Sequence, residues 1–352
     1  MGDPPLSYRL DDYDYPLPED RIAQSPAEPR DASRLLLLRR DSPALAHHVF
    51  RDLPELLRPG DLLVLNRSRV FPARILARRA TGARVEVLLV RDRGGGEWDA
   101  WLRPNRRVGR EPLHVDGLEA PPLRVCSDAV PGDPTRTVRI DVPPVALAAW
   151  LERHGRTPLP PYIRRDPDAA DRERYQTVYA REPGSVAAPT AGLHFTPALL
   201  ERLSARGIHS AEVVLHVGPG TFRPVEVDDV REHRVPPEHV SLPEATVQRI
   251  LETRARGGRV VAVGTTSVRV LESAASPDGR LRPFAGSTDR VVLPGDVFRA
   301  TDALLTNFHL PRSSLLLLVA AFAGRERVLD AYAEAVAQRY RFYSYGDAML
   351  IL

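Results

Sequence analysis

The hydrophobic pattern changes character partway along the chain, and this change most constrains the possible fold. Between about residues 70 and 141, short alternating apolar runs such as Arg84–Arg91 and Trp98–Leu102 are separated by glycine-bearing turns. Regular short strands with such turns are typical of a small antiparallel barrel or sandwich. Beyond Pro143, apolar runs with helical spacing alternate with short strand-like runs, which is typical of an α/β layer.

We therefore predict a mixed α/β main domain built from both ends of the chain, with an inserted small β-barrel domain. The predicted boundaries place the main domain at residues 1–69 and 151–352 and the barrel at residues 70–150. The predicted helices are Val145–Arg153, Pro197–Arg206, Pro243–Arg256, Ser267–Ala275, Ser313–Phe322 and Arg325–Tyr340. The predicted strands outside the two already named are Leu35–Leu38, Asp61–Leu65, Leu123–Cys126, Thr137–Asp141, His209–Val217, Arg259–Val263, Asp289–Leu293 and Ala303–Phe308.

Two features of the composition narrow the chemistry. Cys126 is the only cysteine, which excludes an intrachain disulfide and a thiolate pair for zinc. The 49 basic residues include no lysine, so a Schiff-base lysine, a phosphate-loop lysine and a lysine general base are excluded together. Any general base must then be His, Asp, Glu or Tyr. The net charge of +3 permits a nucleic-acid partner without requiring one, and arginine suits phosphate and base recognition.

The sequence carries no sign of membrane insertion or export. Its first fifteen residues are acidic and proline-bearing, unlike a signal peptide. The longest apolar run, Leu315–Ala323, is half the length of a membrane span and predicts a buried helix. We expect a cytoplasmic protein.

Familiar catalytic and metal-binding motifs are missing from the sequence. No HExxH occurs, and His233 and His239 lack helical ligand spacing, so no metal site is predicted. The glycines at 218 and 220 complete no dinucleotide fingerprint, and no GxSxG elbow is present. Dehydrogenase, kinase and serine-hydrolase functions lose their usual support.

One candidate loop runs from Gly184 to Thr196 and ends at a helix start formed by Thr196 and Pro197. His194 is expected beside the positive end of that helix, which disfavours an imidazolium and leaves a ring able to accept a proton. The small residues before it would allow a ligand to approach the backbone. A packed turn with a satisfied histidine explains the same residues.

A second candidate loop, Leu215–Phe222, follows a predicted strand. Alternation in that strand places His216 with Ser210 and Glu212 on the face opposite the apolar residues. Glycines at the end of a strand are where open α/β sheets bind ligands. An ordinary polar strand residue followed by a tight turn is the alternative.

Three further loops combine hydroxyl, amide, imidazole or aromatic groups. Gly264–Ser267 opens a helix that contains Arg269, and hydroxyls there bind anions or simply cap the helix. Thr306–Pro311 follows another strand. Tyr340–Asp347 interleaves aromatic residues with arginine, which could stack on a base or close the sheet as a terminal strand.

Long sequence motifs follow one another in a characteristic order along nearly the whole chain. They include PGDLLVLNRSRVFPARI at 59–75, GSVAAPTAGLHFT at 184–196, LHVGPGTFRPV at 215–225, VAVGTTSVRVLES at 261–273 and LTNFHLPRSSLLLLVAAFAG at 305–324. These motifs resemble the S-adenosylmethionine:tRNA ribosyltransferase-isomerase family of queuosine biosynthesis. The chain departs from the family pattern at Arg67, where an acidic residue is usual, and at Val235–His239, so no role is carried over to those positions.

The resemblance implies an enzyme that transfers and isomerises the ribosyl part of S-adenosylmethionine. The acceptor would be the aminomethyl group of 7-aminomethyl-7-deazaguanine at the tRNA wobble position, and the products would be epoxyqueuosine, adenine and methionine. S-adenosylmethionine would be a consumed cosubstrate, with no permanently bound cofactor, no membrane and no obligate protein partner. An RNA methyltransferase that uses the same donor and a non-catalytic RNA-binding adaptor are the alternatives.

Candidate residues follow from the loops and the resemblance together. With lysine absent, His194 and His216 are the predicted proton-transfer residues. The predicted cosubstrate-binding residues are Pro189, Thr190, Gly192, Gly218, Gly220, Thr221, Thr265 and Thr266. The predicted tRNA- or base-binding residues are Arg30, Arg34, Arg269, Asn307, His309, Arg341 and Tyr343.

Overall fold

The computed structural model of the chain describes residues 6–118, 122–222 and 224–352. The strands are β1 (Arg34–Leu38), β2 (Leu45–Val49), β3 (Leu62–Asn66), β4 (Ser68–Val70), β5 (Arg74–Arg78), β6 (Arg84–Gly94), β7 (Glu97–Arg103), β8 (Pro112–Val115), β9 (Leu123–Val125), β10 (Thr135–Ile140), β11 (Glu182–Ser185), β12 (His209–Leu215), β13 (Glu238–Leu242), β14 (Val260–Val263), β15 (Phe284–Thr288), β16 (Ala303–Asn307) and β17 (Ala348–Ile351). The helices are α1 (Leu53–Leu56), α2 (Pro144–His154), α3 (Asp171–Arg174), α4 (Pro197–Ala205), α5 (Glu244–Ala255), α6 (Thr265–Ala274), α7 (Ser314–Ala323) and α8 (Arg325–Ala337).

A nine-stranded mixed sheet forms the centre of the main domain, in the order β15-β13-β12-β3-β14-β16-β17-β1-β2. Its four middle strands, β12, β3, β14 and β16, are parallel to one another. Both ends of the chain contribute to it, because β1 pairs in parallel with the last strand, β17. The parallel strands end at one edge of the sheet, so the loops that follow them are brought together.

Both faces of this sheet are covered, which explains why its strands read as continuous apolar runs. In β3, Leu62 and Val64 pack into one core, whereas Leu63 and Leu65 pack into the core on the opposite face. All four side chains are 2% exposed or less. The run Leu62–Leu65 therefore forms a buried strand rather than a half-exposed one.

The inserted segment forms a closed antiparallel barrel in the order β10-β7-β6-β5-β8-β9. Alternate side chains such as Val85, Val87 and Leu89 of β6 fill its own apolar core. This confirms the predicted fold class, an α/β domain from both ends of the chain with a small β-barrel. The exact boundaries at residues 69/70 and 150/151 stay predictions.

Most predicted elements are confirmed, but the strand predicted at Asp289–Leu293 is wrong. Those residues have no regular structure, and the edge strand is β15, which pairs antiparallel with β13. Val292 is 2% exposed, so its apolar neighbours indicate packing into the core from a loop. Tyr340–Asp347 forms no strand either; it is a loop that leads into β17.

The apolar run at Leu315–Ala323 lies within α7, whose residues Leu316–Ala320 are all buried, as the sequence predicts. In the described parts of the chain, no helix combines the length and apolar character needed to cross a bilayer.

Candidate functional site

The carboxyl ends of the parallel strands meet the barrel across a large cavity. Arg67, His216 and Gly264 directly follow β3, β12 and β14, which all end at this edge. The cavity measures about 1040 Å³ and its walls come from the sheet edge, the barrel and α2. Open α/β sheets bind their ligands at this position because strand ends and helix starts expose free backbone groups there.

His216 is the predicted catalytic residue that the structure places in this cavity. Its Nδ1 lies 2.8 Å from the Ser68 hydroxyl, and its ring stacks on His239 with centroids 5.3 Å apart. Burial lowers the pKa of His216, and the neighbouring His239 lowers it further. The ring is therefore neutral near pH 7 and can accept a proton.

Gly184 lies beside Nε2, the other ring nitrogen of His216, and has no side chain that would cover it. Its backbone has φ of +144°, and a Cβ added there would lie 2.7 Å from His216 Nε2. Any other residue would therefore push against the imidazole. Glycine at this position therefore leaves the Nε2 edge of the ring uncovered by a side chain.

A buried carboxylate organises the glycine loop that follows His216. Glu238 Oε1 accepts hydrogen bonds from the Gly218 N–H (2.7 Å) and the Thr221 hydroxyl (3.3 Å). Its Oε2 accepts a hydrogen bond from Arg269 Nη1, and both charged side chains are at most 10% exposed. Arg269 thus holds Glu238 and lines the cavity, and its contact with tRNA stays a prediction.

Glu238 and His239 are site residues that sequence reasoning missed. Both line the cavity from the first two positions of β13. Glu238 shares the buried face of that strand with Val240 and Leu242. The available signal was the position of Glu238, a carboxylate among the alternate residues of β13 that are otherwise apolar. The two prolines before it, Pro236 and Pro237, are unusual in a strand, so the strand was not predicted.

Arg67, which replaces the acidic residue usual in the family, forms specific contacts in the structure. Its guanidinium forms ion pairs with Glu182 (3.0 Å) and with Glu212 (3.4 Å). The arginine therefore joins β11 and β12 to the end of β3 through two carboxylates. It stabilises the sheet edge beside the cavity.

A smaller cavity, here called the slot, adjoins the large one and measures about 50 Å³. The two share Val217, Thr221 and Leu315 as lining residues. The slot brings together predicted residues from all five candidate loops: Pro189, Thr190, Thr221, Thr265, Thr266, Asn307, His309 and Tyr343.

The predicted cosubstrate residues thus divide between two adjoining spaces. Gly218 and Gly220 line the large cavity, and Thr221 lines both. Gly192 is in neither lining; a Cβ there would lie 2.1 Å from the Tyr179 hydroxyl oxygen, so it serves close packing.

His194 is absent from both cavity linings, and it lies in a buried 3-10 turn, Thr190–His194. Its Nδ1 is 2.7 Å from Ser33 Oγ and its Nε2 is 3.2 Å from Asn307 Nδ2. Burial lowers the pKa of His194 to about 3, with smaller effects of Arg341 and Arg30. The helix start after it forms as predicted, with Thr196 accepting from the Leu199 N–H.

Several predicted tRNA-binding arginines are already engaged within the protein. Arg30 donates to backbone carbonyls that include Gln176 (2.9 Å) and Leu193 (3.1 Å). Arg34 donates to the Gln338 carbonyl, and Arg341 pairs with Asp347 at 3.4 Å. These contacts favour structural roles, and a tRNA contact at these arginines stays a prediction.

His309 and Tyr343 meet at the slot but are also firmly packed. His309 Nε2 lies 2.9 Å from the Thr306 hydroxyl, and burial lowers its pKa to about 3. Tyr343 has φ of +74°, and its ring packs edge-on against Tyr162. No cluster of three or more His, Cys, Asp or Glu suited to a metal ion occurs among the residues that the structure describes.

Comparison with known proteins agrees with this architecture. The family model described as queuosine biosynthesis protein matches residues 10–351. The chain belongs to this family. The S-adenosylmethionine:tRNA ribosyltransferase-isomerase of Anaeromyxobacter dehalogenans (strain 2CP-C) is 55% identical over 348 residues, which cover 98% of this chain and 99% of that protein. The enzyme of the same name from Moorella thermoacetica is 52% identical over 345 residues, 98% of this chain and 100% of that protein.

A solved structure supports the queuosine biosynthesis family fold. The crystal structure of S-adenosylmethionine tRNA ribosyltransferase from Thermotoga maritima matches with a TM-score of 0.56 and 41% identity. The match covers 97% of this chain and 100% of that one. The family members are thus similar over the main domain and the barrel alike.

Proposed function

We propose that the protein is an S-adenosylmethionine:tRNA ribosyltransferase-isomerase of the cytoplasm. It would transfer and isomerise the ribosyl group of S-adenosylmethionine onto 7-aminomethyl-7-deazaguanine at the wobble position of tRNA. The products are epoxyqueuosine, adenine and methionine. The observation that carries the proposal is the neutral, accessible His216 beside a glycine loop, in a cavity large enough for two substrates, in a member of this family.

The reaction needs a base for the proton next to the sulfonium, and His216 has the geometry for that role. When Nδ1 donates its proton to Ser68 Oγ, Nε2 is left as the acceptor on the ring edge beside Gly184. This hydrogen bond also fixes the plane of the ring. Of the two predicted histidines, His216 is therefore the one we assign to proton transfer, and His194 acts behind the cavity wall.

The cavity has a sheet wall, which includes Gly218, Glu238 and Arg269, and a barrel wall, which includes Asp99 and Trp101 of β7. The two walls would hold different parts of the substrates. The glycine loop lets the small donor approach its backbone closely, whereas Trp98 and Trp101 of β7 line the opposite wall. Aromatic rings on that side suit an unstacked base and the positively charged sulfonium. Arg69 lies exposed at the lining and is suited to a tRNA phosphate.

The proposal is tested by incubating the purified protein with S-adenosylmethionine and tRNA that carries 7-aminomethyl-7-deazaguanine. We expect epoxyqueuosine in the nucleoside digest and one free adenine per modified tRNA, both measured by mass spectrometry. Methylated tRNA with S-adenosylhomocysteine would instead establish a methyltransferase. Unmodified tRNA that binds tightly would establish an adaptor. Reactions without donor, and with tRNA carrying guanine at the wobble position, are the matched controls.

A further inference from the structure

Three residues that line the slot carry a buried polar atom for which the described residues provide no hydrogen-bond partner: Asn307 Oδ1, Thr266 Oγ1 and the Tyr175 hydroxyl. Asn307 is only 1% exposed. Leaving such a buried group unsatisfied costs about 1–3 kcal/mol, so most are paired with protein, water or a ligand. Three of them around one small space indicate that the slot is built to receive polar atoms from outside the chain.

The orientation of the Asn307 amide follows from its other contacts. Its Nδ2 lies 3.1 Å from the Tyr343 carbonyl oxygen and 3.2 Å from His194 Nε2. The reverse orientation would place the amide oxygen against the carbonyl oxygen of Tyr343, with two acceptors facing each other. The amide nitrogen is therefore committed to these partners, and Oδ1 is an acceptor left over for the slot.

Ser33 and His194 fix this orientation from behind. For Nε2 of His194 to accept from Asn307, the ring proton must lie on Nδ1, where it is donated to Ser33 Oγ at 2.7 Å. A protonated ring, or the other tautomer, would present an N–H to the Asn307 amide nitrogen. His194 is thus a positioning residue that acts on the slot through Asn307.

The volume and walls of the slot suit one small heterocycle. Its volume of about 50 Å³ exceeds the roughly 10–15 Å³ that a single water needs, yet it is far smaller than the cavity beside it. Ala187, Ala188 and Pro189 form an apolar part of its wall. At the shared boundary with Val217 and Thr221, a sugar attached to such a ring would enter the large cavity, where His216 lies.

We propose that the slot binds the adenine ring of S-adenosylmethionine, with the 6-amino group donating to Asn307 Oδ1 and a ring nitrogen accepting from the Thr266 hydroxyl. This inference rests on the proposed function and names the part of the site that holds the leaving base. The wobble base is also a planar amine-bearing ring, but it is attached to tRNA and must enter through the wider cavity. Adenine, at the end of a small molecule, can fill the inner space first.

The test compares adenine with purine, which lacks the 6-amino group, by calorimetry in the absence of tRNA. We expect wild type to bind adenine more tightly than purine, by about two- to tenfold for one hydrogen bond. Ser33→Ala removes the acceptor that fixes the His194 tautomer and should bring this ratio toward one. Thr266→Val should weaken binding of both rings by about two- to tenfold, and it breaks no internal hydrogen bond because its hydroxyl has no partner among the described residues.

Thr301→Val is the matched control for these variants. It also removes a buried threonine hydroxyl without a described partner, at a position outside both cavity linings, and should leave the binding of both rings unchanged. Equal binding of adenine and purine by wild type would overturn the proposal. So would an unchanged ratio in folded Ser33→Ala together with unchanged affinity in Thr266→Val. Preferential binding of free 7-aminomethyl-7-deazaguanine, sensitive to the same variants, would give the slot to the wobble base.

The tRNA-modification assay on the same preparations separates this inference from the proposed function. Epoxyqueuosine formation without selective adenine binding contradicts the slot assignment alone. Selective, variant-sensitive adenine binding without any tRNA modification contradicts the proposed function alone.

Discussion

The two walls of the large cavity differ in how their charged groups are held. On the sheet wall, Glu238 and Arg269 form an ion pair in which both side chains are at most 10% exposed. On the barrel wall, Asp99 is buried, but its partners Arg91 and Arg93 are 70% and 45% exposed. Water can replace the arginine contacts of the barrel wall and cannot replace those of the sheet wall.

This difference follows from the two architectures. A parallel sheet ends in loops whose backbone groups need partners, and at this edge Glu238 supplies one to the Gly218 N–H. In a closed antiparallel barrel, the backbone groups of each strand are already hydrogen-bonded to neighbouring strands. The wall that the barrel presents to the cavity therefore consists of side chains. We infer that the sheet wall performs the chemistry while the barrel wall provides shape and charge. Substitutions on the sheet wall should therefore have the larger effects.

The largest effect is expected at His216. Replacing it with alanine removes the acceptor nitrogen, so the single-turnover rate of tRNA modification should fall by about 10²–10⁴-fold. Affinity for tRNA should stay near that of wild type, as measured by filter binding. His209→Ala, at the exposed opposite end of β12, is the control and should keep full activity. A fully active His216→Ala would remove our proton-transfer assignment and with it the functional contrast between the walls.

The buried ion pair gives the next effect, and it compares the two walls directly. Glu238→Gln leaves the buried Arg269 without a counter-charge, so the free energy of unfolding should decrease by about 3–5 kcal/mol in urea titrations. Asp99→Asn makes the same chemical change on the barrel wall. Because its arginine partners are exposed, we expect a loss of about 1 kcal/mol or less. Equal losses would contradict the distinction between a rigid and a solvated wall.

Acid should destabilise the sheet edge through its buried histidines. Burial lowers the pKa of His309 to about 3 from its usual value of 6.5, so between these values the unfolded chain binds a proton that the folded chain does not. Stability contributed by the neutral ring is present above pH 6.5 and decreases as pH falls. Between pH 7 and 5 the loss should be about 2 kcal/mol for this one residue.

Urea titrations across this range should show a shallower pH dependence for His309→Gln than for wild type. His114→Gln, at an exposed position of the barrel, controls for the loss of an imidazole. Parallel curves for wild type and His309→Gln would show that His309 is not the source of acid sensitivity.

Local pattern predicts much of this fold because the pattern is generated by burial. Leu62–Leu65 is apolar throughout, because it lies between neighbouring strands and both of its faces are buried. In β6, apolar and polar residues alternate because one face of the barrel wall is buried and the other is exposed to solvent. The edge strand β15 was missed for the opposite reason. Its sequence, FAGST, has little apolar character, and its place is set by pairing with β13.

The site was predictable as a set of loops but not as a set of roles. His194 and His216 look alike in sequence, each beside small residues. What distinguishes them is contact with Ser33 and Asn307 in one case and Ser68 in the other, across 113 to 161 residues of chain. Tertiary packing alone determines these partners. The sequence therefore could not show that the His194 ring orients Asn307 whereas the His216 ring is suited to proton transfer.

The smallest effect, on tRNA affinity, tests which wall supplies the phosphate contacts. Arg69, on β4 at the sheet side, is exposed at the cavity, and its guanidinium has no hydrogen-bond or ion-pair partner among the described residues. Arg69→Ala should weaken tRNA binding modestly and reduce the slope of log affinity against log salt by about one unit. Arg91→Ala on the barrel wall should change the slope less, because Asp99 already neutralises that charge. Arg256→Ala, at the end of α5 and outside both cavity linings, should change nothing. A larger change of slope for Arg91→Ala than for Arg69→Ala would assign the backbone of the tRNA to the barrel wall, even where the chemistry stays with the sheet.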